Sequence, residues 1–484
     1  MGNPLANETA QAINAFSRNA VLNGAAHGLA GPVLADLAEL TSYSEARQAK
    51  ELARLATLFP PRLDGDAPAF DFHPAFHALA RRGVAAGLAG SVWGNEADEA
   101  GARHLIRALK LATLATLEPT HITLLSHTHA SMAALMNDSD SLGRWAAGLM
   151  SKQYDTAARP VGEKQGLTVA LAVDVAVEAK NTSDGWKLNG RNLPLPAPAA
   201  DLIIVRGVTE GRGETCFVVE RHQAASQGLY LSSTAASAAC DLVDVPAQLV
   251  GRPGSGTDVM AELTTLLRLD RTLIEAGTMK AAITRAVENA IDTTQLRALA
   301  DAALDVAAVH ALALRLAASF DRAADDPVEA GYARLIAPVA AFWSGRLLAP
   351  VLAECGQPTE AARVPYALCE DVVQITRRGP RTVDRVVDRV AQDLGPSGEG
   401  TLNVLRSSRE MAVADPGSIR MFMEQLAFAA AAAELQRIAP GILSEAFAET
   451  RLGRPWRSAY GMLDARHDAG AVLEALGCAP IHSD

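Results

Sequence analysis

Cysteine, aromatic residues and long apolar runs are all scarce in this 484-residue chain. Its five cysteines (Cys216, Cys240, Cys355, Cys369 and Cys478) are scattered, and no two form a CxxC pair. That argues against a disulfide scaffold or a structural zinc, and fits a reducing, cytoplasmic setting. The nearest approach to a membrane segment, LAFAAAAAEL, is too short and too Ala-rich, so no membrane partner is expected. The opening MGNPLANETAQAINAF has no basic stretch ahead of an apolar core, so no secretory signal is expected. It also lacks the Ser or Thr that a myristoylation signal needs. Positive charge is in deficit too: 44 Lys and Arg face 55 Asp and Glu, for a net charge of −11. Such a balance argues against nucleic acid as the main partner.

What is present begins with one β-type stretch, Asp184 to Gly256. Asp184-Gly185 is a hairpin-turn dipeptide, and Asn189-Gly190 reads as a second. Leu202-Ile203-Ile204-Val205 and Phe217-Val218-Val219 are short continuous apolar runs, as in strands buried on both faces. The rest of the chain reads as helices. Phe59-Pro60-Pro61 ends one early run, and Pro119 suits the first position of a helix reaching about Met136. That helix carries His121, His127 and His129. At helical spacing His121 and His129 lie about 80° apart and His127 points elsewhere, so no shared metal is expected. Leucine stripes from Leu263 to Ile274 and from Leu296 to Leu316 predict a bundle of long helices. In RTVDRVVDRV, Arg381, Asp384, Arg385, Asp388 and Arg389 are spaced to pair along one solvated helix face. Arg377 and Arg378, just before Gly379-Pro380, lack such partners. A Gly/Ser-rich stretch, GPSGEG, reads as a linker to further helices, where Trp456 and Tyr460 are spaced to pack.

These pieces carry a resemblance. The text DGWKLNGRNLPLPAPAAD, a following strand, and VPAQLVGRPGSG are similar to the middle domain of acyl-CoA dehydrogenases. FDFHPAFHAL (Phe70 to Leu79) and Tyr154-Asp155 resemble the AidB-like branch of that family. The resemblance runs from about Phe70 to Val390. It implies a mainly α fold with a central antiparallel β domain. The parts would be a helical N-terminal domain (1–158), a β-barrel middle domain (159–255), a C-terminal four-helix bundle (256–395) and an additional helical region (396–484). The AidB-like branch is associated with DNA binding through a basic C-terminal region. Here acidic residues slightly outnumber the arginines beyond residue 400, so a nucleic-acid partner is not carried over.

The family uses FAD to take hydrogen from an acyl thioester, and the protein holds the flavin and supplies a carboxylate base. Four of its motifs are altered in this chain. The flavin-binding Thr-Glu…Gly-Ser-Asp loop is deleted between Gly166 and Lys180. Leu193 stands where an aromatic residue sits beside the flavin. Arg285 keeps the first position of the pyrophosphate motif, but Glu288-Asn289 replaces its Phe-Gly. Thr376-Arg377-Arg378-Gly379-Pro380 stands where the family has Glu-Gly-[ST]-x-Asn, and Thr376 cannot serve as a carboxylate base. Four lost charge-assisted hydrogen bonds, at roughly 1.5 kcal/mol or more each, remove about four decades of affinity. No tightly bound cofactor and no metal are therefore expected.

Three functions follow from the resemblance. The first is an enzyme of changed, non-redox chemistry (addition, elimination or cyclisation) on a small-molecule or carrier-bound substrate in the old flavin and acyl cleft. Its catalytic candidates are His127, His129, Tyr154, Asp155 and Glu370. Its ligand-binding candidates are Glu275, Arg285, Thr376, Arg377 and Arg378, with an arginine gripping an anionic group. The second is a non-catalytic subunit of a hetero-oligomer with an intact dehydrogenase-like chain; a homo-oligomer is the other assembly expected. The third is a divergent oxidoreductase that retains FAD.

Overall fold

The computed structural model describes residues 16–63, 69–94, 101–136, 138–233, 238–290, 292–357, 366–453, 459–464 and 466–478. Trp456 lies outside the described residues. Helices come first: α1 (Ala20–Ala25), α2 (Gly31–Glu45), α3 (Arg47–Leu58), α4 (Pro74–Ala85), α5 (Arg103–Leu114), α6 (Pro119–Leu135) and α7 (Ser139–Leu149). Strands β1 (Val169–Thr182), β2 (Gly185–Pro194), β3 (Leu202–Thr209), β4 (Gly213–Glu220), β5 (Leu229–Ser233) and β6 (Ala238–Val250) follow, with the short α8 (Arg221–Ala224) after β4. The chain then returns to helices. The long ones are α9 (Gly256–Glu288), α10 (Thr293–Arg322) and α11 (Pro327–Glu354). Next come α12 (Tyr366–Arg378), α13 (Pro380–Asp393), α14 (Gly398–Ala414), α15 (Ile419–Ile438), α16 (Gly441–Phe447) and α17 (Ala469–Ala475).

By internal contacts the chain divides into two compact units. One comprises Met1–Glu45, Glu99–Leu117 and Arg268–Asp484; the other comprises Ala46–Asp98 and Glu118–Leu267.

The second of these is built on the sheet. Its strand order is β2-β1-β3-β4-β6-β5, and a further β2–β6 pairing closes it into a barrel. Pairings are antiparallel except β1 with β3, which run parallel. The reason is local. β2 folds back on one side of β1 through the Asp184-Gly185 turn, so β3 must cross to the other side and enters in the same direction. Asn189-Gly190 is not a second hairpin turn. It lies inside β2, where the ladder with β6 slips between Leu188 and Gly190 and again before Leu193. A Cβ on Gly190 would come within 2.4 Å of Val177 Cγ1, so glycine answers here to a close approach inside the barrel. Both apolar runs, Leu202–Val205 and Phe217–Val219, are buried strand residues.

The other unit is a bundle around α10. Twenty-two residues of this helix, from Ala298 to Ser319, are buried. Helices α10 and α11 are long and apolar enough to cross a bilayer, yet 94% and 67% of their most apolar windows are buried inside the fold, as core helices are. GPSGEG is no linker. Gly395–Ser397 forms a tight 3₁₀ turn and Gly398 opens α14, where a Cβ would fall 1.9 Å from the Ala391 carbonyl oxygen. On α13, Asp384 pairs with Arg409 and Asp388 with Arg406, both from α14, and Arg389 with Asp393. The carboxylates at 384 and 388 thus join two helices, where sequence spacing had suggested pairing along one. Arg451 clamps α10 from the C-terminal side by bonding Asp301 and Asp305, and Tyr460 donates to the same Asp305 carboxylate.

Candidate functional site

Helix α6 begins as its sequence predicts. Pro119 sits in the first turn and the Glu118 carboxylate caps the Thr120 and His121 N–H groups. The same carboxylate meets His121 Nδ1 at 3.1 Å. One and a half turns on, the helix lies against β1. The Leu171 N–H donates to His127 Nδ1 at 3.1 Å, and the Val169 N–H donates to Thr128 Oγ1 at 3.0 Å. Those are every-other-residue amides of one strand, so two adjacent helix side chains fasten the barrel's first strand. Burial holds His127 neutral by pushing its pKa down to about 4. His129 Nδ1 accepts the Trp93 indole N–H at 3.1 Å. Both histidines thus spend a ring nitrogen on the fold.

Tyr154 and Asp155 follow α7 and are adjacent in sequence but differ in environment. Asp155 accepts from Arg159 at 2.6 Å and from the Ala157 and Gln165 N–H groups. The Arg159 bond, with those amides, brings its pKa to about 2, so it stays ionised and organises its loop. Tyr154 is half-buried, and its hydroxyl lies 3.1 Å from His77 Nδ1. His77 is on α4, whose start is built by the His73 side chain capping the Ala75 N–H with Pro74 at the first position. One turn into the helix, His77 faces Tyr154 beside the rings of Phe72 and Phe76.

Burial raises the Tyr154 phenol above its ordinary range, with Asp201 adding to the effect and Arg81 and Arg221 opposing it. Burial, then Arg81, lowers His77. At neutral pH the pair is thus a phenol and a neutral imidazole. With the phenol donating to Nδ1, the ring proton sits on Nε2. Asp201 is itself engaged by Lys164 at 2.5 Å and by the Thr168 N–H and hydroxyl. His77 is the group that sequence reasoning missed. It was visible as the second histidine of FDFHPAFHAL, four residues after the capping one, but nothing local tied it to Tyr154.

The remaining candidates belong to the helical unit. Glu275 is buried and held by Ser344 at 2.5 Å and Arg271 at 2.8 Å. Thr376 is buried and donates to the Val372 carbonyl. Glu370, Arg377 and Arg378 are exposed on α12. Arg285, also exposed, lines an open groove of about 320 Å³ with Asn289, Gln295, Glu354 and Cys355. Among the described residues, and within each unit, the structure brings His77 together with Tyr154; the other candidates are tied to structural partners or stand exposed.

Residues 6–156 match the family described as the adaptive response protein AidB N-terminal domain. The putative acyl-CoA dehydrogenase AidB of Escherichia coli (strain K12) is 27% identical over 357 residues. That match covers 66% of this chain and 65% of the relative, slightly under two-thirds of its length. Among solved structures, Caenorhabditis elegans ACDH-11 in complex with C11-CoA superposes with a TM-score of 0.70 at 16% identity, covering 90% of this chain. The apo form of Bd2924 gives 0.70 at 14% identity, covering 86% of this chain and 96% of its own. An acyl-CoA dehydrogenase from Bacillus anthracis complexed with FAD gives 0.58 at 12% identity, covering 93% and 89%. At such identities the structures speak for the fold alone.

Proposed function

We propose, from the premise that this chain belongs to the acyl-CoA dehydrogenase superfamily in its AidB-like branch, that it has given up tight FAD binding. On this reading it is an enzyme of non-redox chemistry acting on a small-molecule or carrier-bound substrate. Strand β1 carries the proposal. Where the resemblance implies a flavin-binding loop, Val169–Thr182 runs as one strand, paired with β3 over residues 169–172 and 177–179. Only a register shift between Ala172 and Val177 breaks it. Two further features support the reading. Leu193, at the aromatic position, is fully buried and pairs with Cys240 in the barrel. Glu288 ends α9 one turn beyond the exposed Arg285, which puts a carboxylate where a diphosphate would be repelled. FAD supplies hydride acceptance to a protein that holds it; the residues present here do not fit such a hold.

The chemistry left to the chain is proton transfer by His77 and Tyr154. Addition, elimination and cyclisation each need a proton delivered at one atom and removed at another, and a phenol beside a neutral imidazole suits both. Exposed Arg81 acts on both groups and would hold an anionic substituent near them.

An absorbance scan of the purified protein, followed by titration with FAD, tests the first part. The expected result is no stoichiometric flavin band and a Kd on the order of tens of micromolar or weaker. A flavin in every protomer, purified with no second gene product, would return the chain to FAD-dependent oxidation. For the second part, Tyr154→Phe is expected to lower turnover of a substrate found by metabolite screening by about 10²-fold or more, with the circular dichroism spectrum unchanged. Turnover that survives this change removes the pair from the mechanism.

A second reading, the non-catalytic subunit of a hetero-oligomer, is favoured by one observation. His127, His129, Asp155, Glu275 and Thr376 each spend at least one polar atom on a structural bond. Co-expression with an intact dehydrogenase-like chain separates the two. Copurification with flavin recovered in the complex supports the subunit; a homo-oligomer that ignores the partner opposes it.

A further inference from the structure

Two long helices of the bundle end beside one groove. Helix α9 stops at Glu288 and α11 at Glu354. The groove holds about 320 Å³. Arg285 and Asn289 line it from the first end, Glu354, Cys355 and Gln357 from the second, and Gln295 from the start of α10. The backbone at both ends is tied down. At the end of α11, Gly356 takes a left-handed turn with a φ of +68°. There the Gly356 and Gln357 N–H groups donate back to the Ala353 and Leu352 carbonyls at 3.0 and 2.9 Å. At the end of α9 the Asn289 side-chain N–H donates to the Arg285 carbonyl at 2.7 Å, which leaves its amide oxygen as an acceptor. The other walls are small, Ala286, Ala353 and Gly356, so they leave the space open.

Charge decides what suits that space. Arg285 and Glu354 are the two charged residues of the lining, and both are exposed. Among the described residues neither forms an ion pair, with the other or with a third group. Burial pushes the Cys355 thiol up to about 12, so it stays neutral. A lone anion would answer Arg285 but would face Glu354 and the carbonyl ends of two helices, which carry partial negative charge. A lone cation would suit Glu354 and the helix ends but not Arg285. A molecule with both charges close together satisfies each.

We propose that this groove binds a free α-amino acid as its zwitterion, with the carboxylate on Arg285 and the ammonium on Glu354. The side-chain amides of Asn289, Gln295 and Gln357 offer both donors and acceptors to a polar side chain on the ligand. The volume lies at the small end of the range for ligand sites, which suits a molecule of that size. A nucleotide, with two or more negative charges, is disfavoured by Glu354 and the helix ends. Every residue invoked belongs to the helical unit. The proposal therefore stands or falls apart from the His77–Tyr154 pair, which lies in the other unit.

Saturation-transfer NMR on the full-length protein tests this, with L-glutamine as the probe and acetate and methylammonium as single-charge controls. Glutamine is expected to saturate with a Kd on the order of 1 mM, as two charge-assisted contacts supply. Each control should bind about tenfold more weakly, and Arg285→Gln and Glu354→Gln should each weaken glutamine by about tenfold. Both side chains are exposed and outside any ion pair, so neither change is expected to disturb folding. The proposal is overturned by a glutamine signal that does not saturate by about 10 mM, or by a variant that binds as the parent does. Acetate or methylammonium binding as tightly as glutamine also overturns it. So does displacement of glutamine by a lower concentration of ADP, which would assign the groove to a diphosphate.

Discussion

Between pH 7 and pH 5 the protein is expected to lose on the order of 2 kcal/mol of stability for each of three buried histidines. Burial lowers His104 to about 3 and His127 and His310 to about 4, while the histidines of the unfolded chain titrate near 6.5. A lowered folded-state pKa means that the unfolded chain binds more protons between those values. Stability is therefore intact above about pH 6.5 and falls as the pH drops, toward 4 for His127 and His310 and toward 3 for His104, with no further loss from this cause below that. Asp321 and Glu262, raised by burial, bind protons in the folded state and act in the opposite direction at the acid end. Urea denaturation at half-unit steps from pH 7.5 to 4.5 measures the slope. A flat profile would remove the neutral, buried assignment. Replacing His127 with Gln should reduce the slope by the share of one group.

The second large effect concerns the Arg107–Asp270 pair. Arg107 is on α5 and Asp270 on α9, and their side chains are 2% and 1% exposed. Two parallel bonds of 2.7 Å join guanidinium and carboxylate. Arg107→Met leaves a carboxylate buried without a counter-charge and is expected to cost about 3–5 kcal/mol. Against a total stability of roughly 5–15 kcal/mol, that is a large fraction. The double change Arg107→Met with Asp270→Leu should recover most of the loss, because it removes both desolvated charges. Chemical denaturation of the single and double variants decides it; a single variant within about 1 kcal/mol of the parent would mean that water reaches the pair.

Much of the architecture could be read from local chemistry. Asp184-Gly185 turns where its dihedral freedom allows, Pro119 starts its helix, and Phe59-Pro60 ends another. The misreadings share one cause. Asn189-Gly190 has the residues of a turn but lies within a strand, because β6 pairs across it and Val177 leaves no room for a side chain. Asp384 and Asp388 have helix spacing to their neighbours but bond to α14, which sequence spacing alone does not bring near. The Gly-rich stretch at 395–400 is tight because Ala391 is close, not loose because glycine is small.

The site was less legible. Tyr154 could be singled out from its motif, while its partner His77 lies 77 positions earlier. His127 and His129 looked available, yet a strand amide and an indole claim them. By itself the sequence determined the helical character, the barrel strands and the family likeness, since each depends on residue order within short windows. Only tertiary structure decided which polar groups are engaged and which remain free. A side chain's protonation and availability depend on what surrounds it, and those neighbours come from distant parts of the chain.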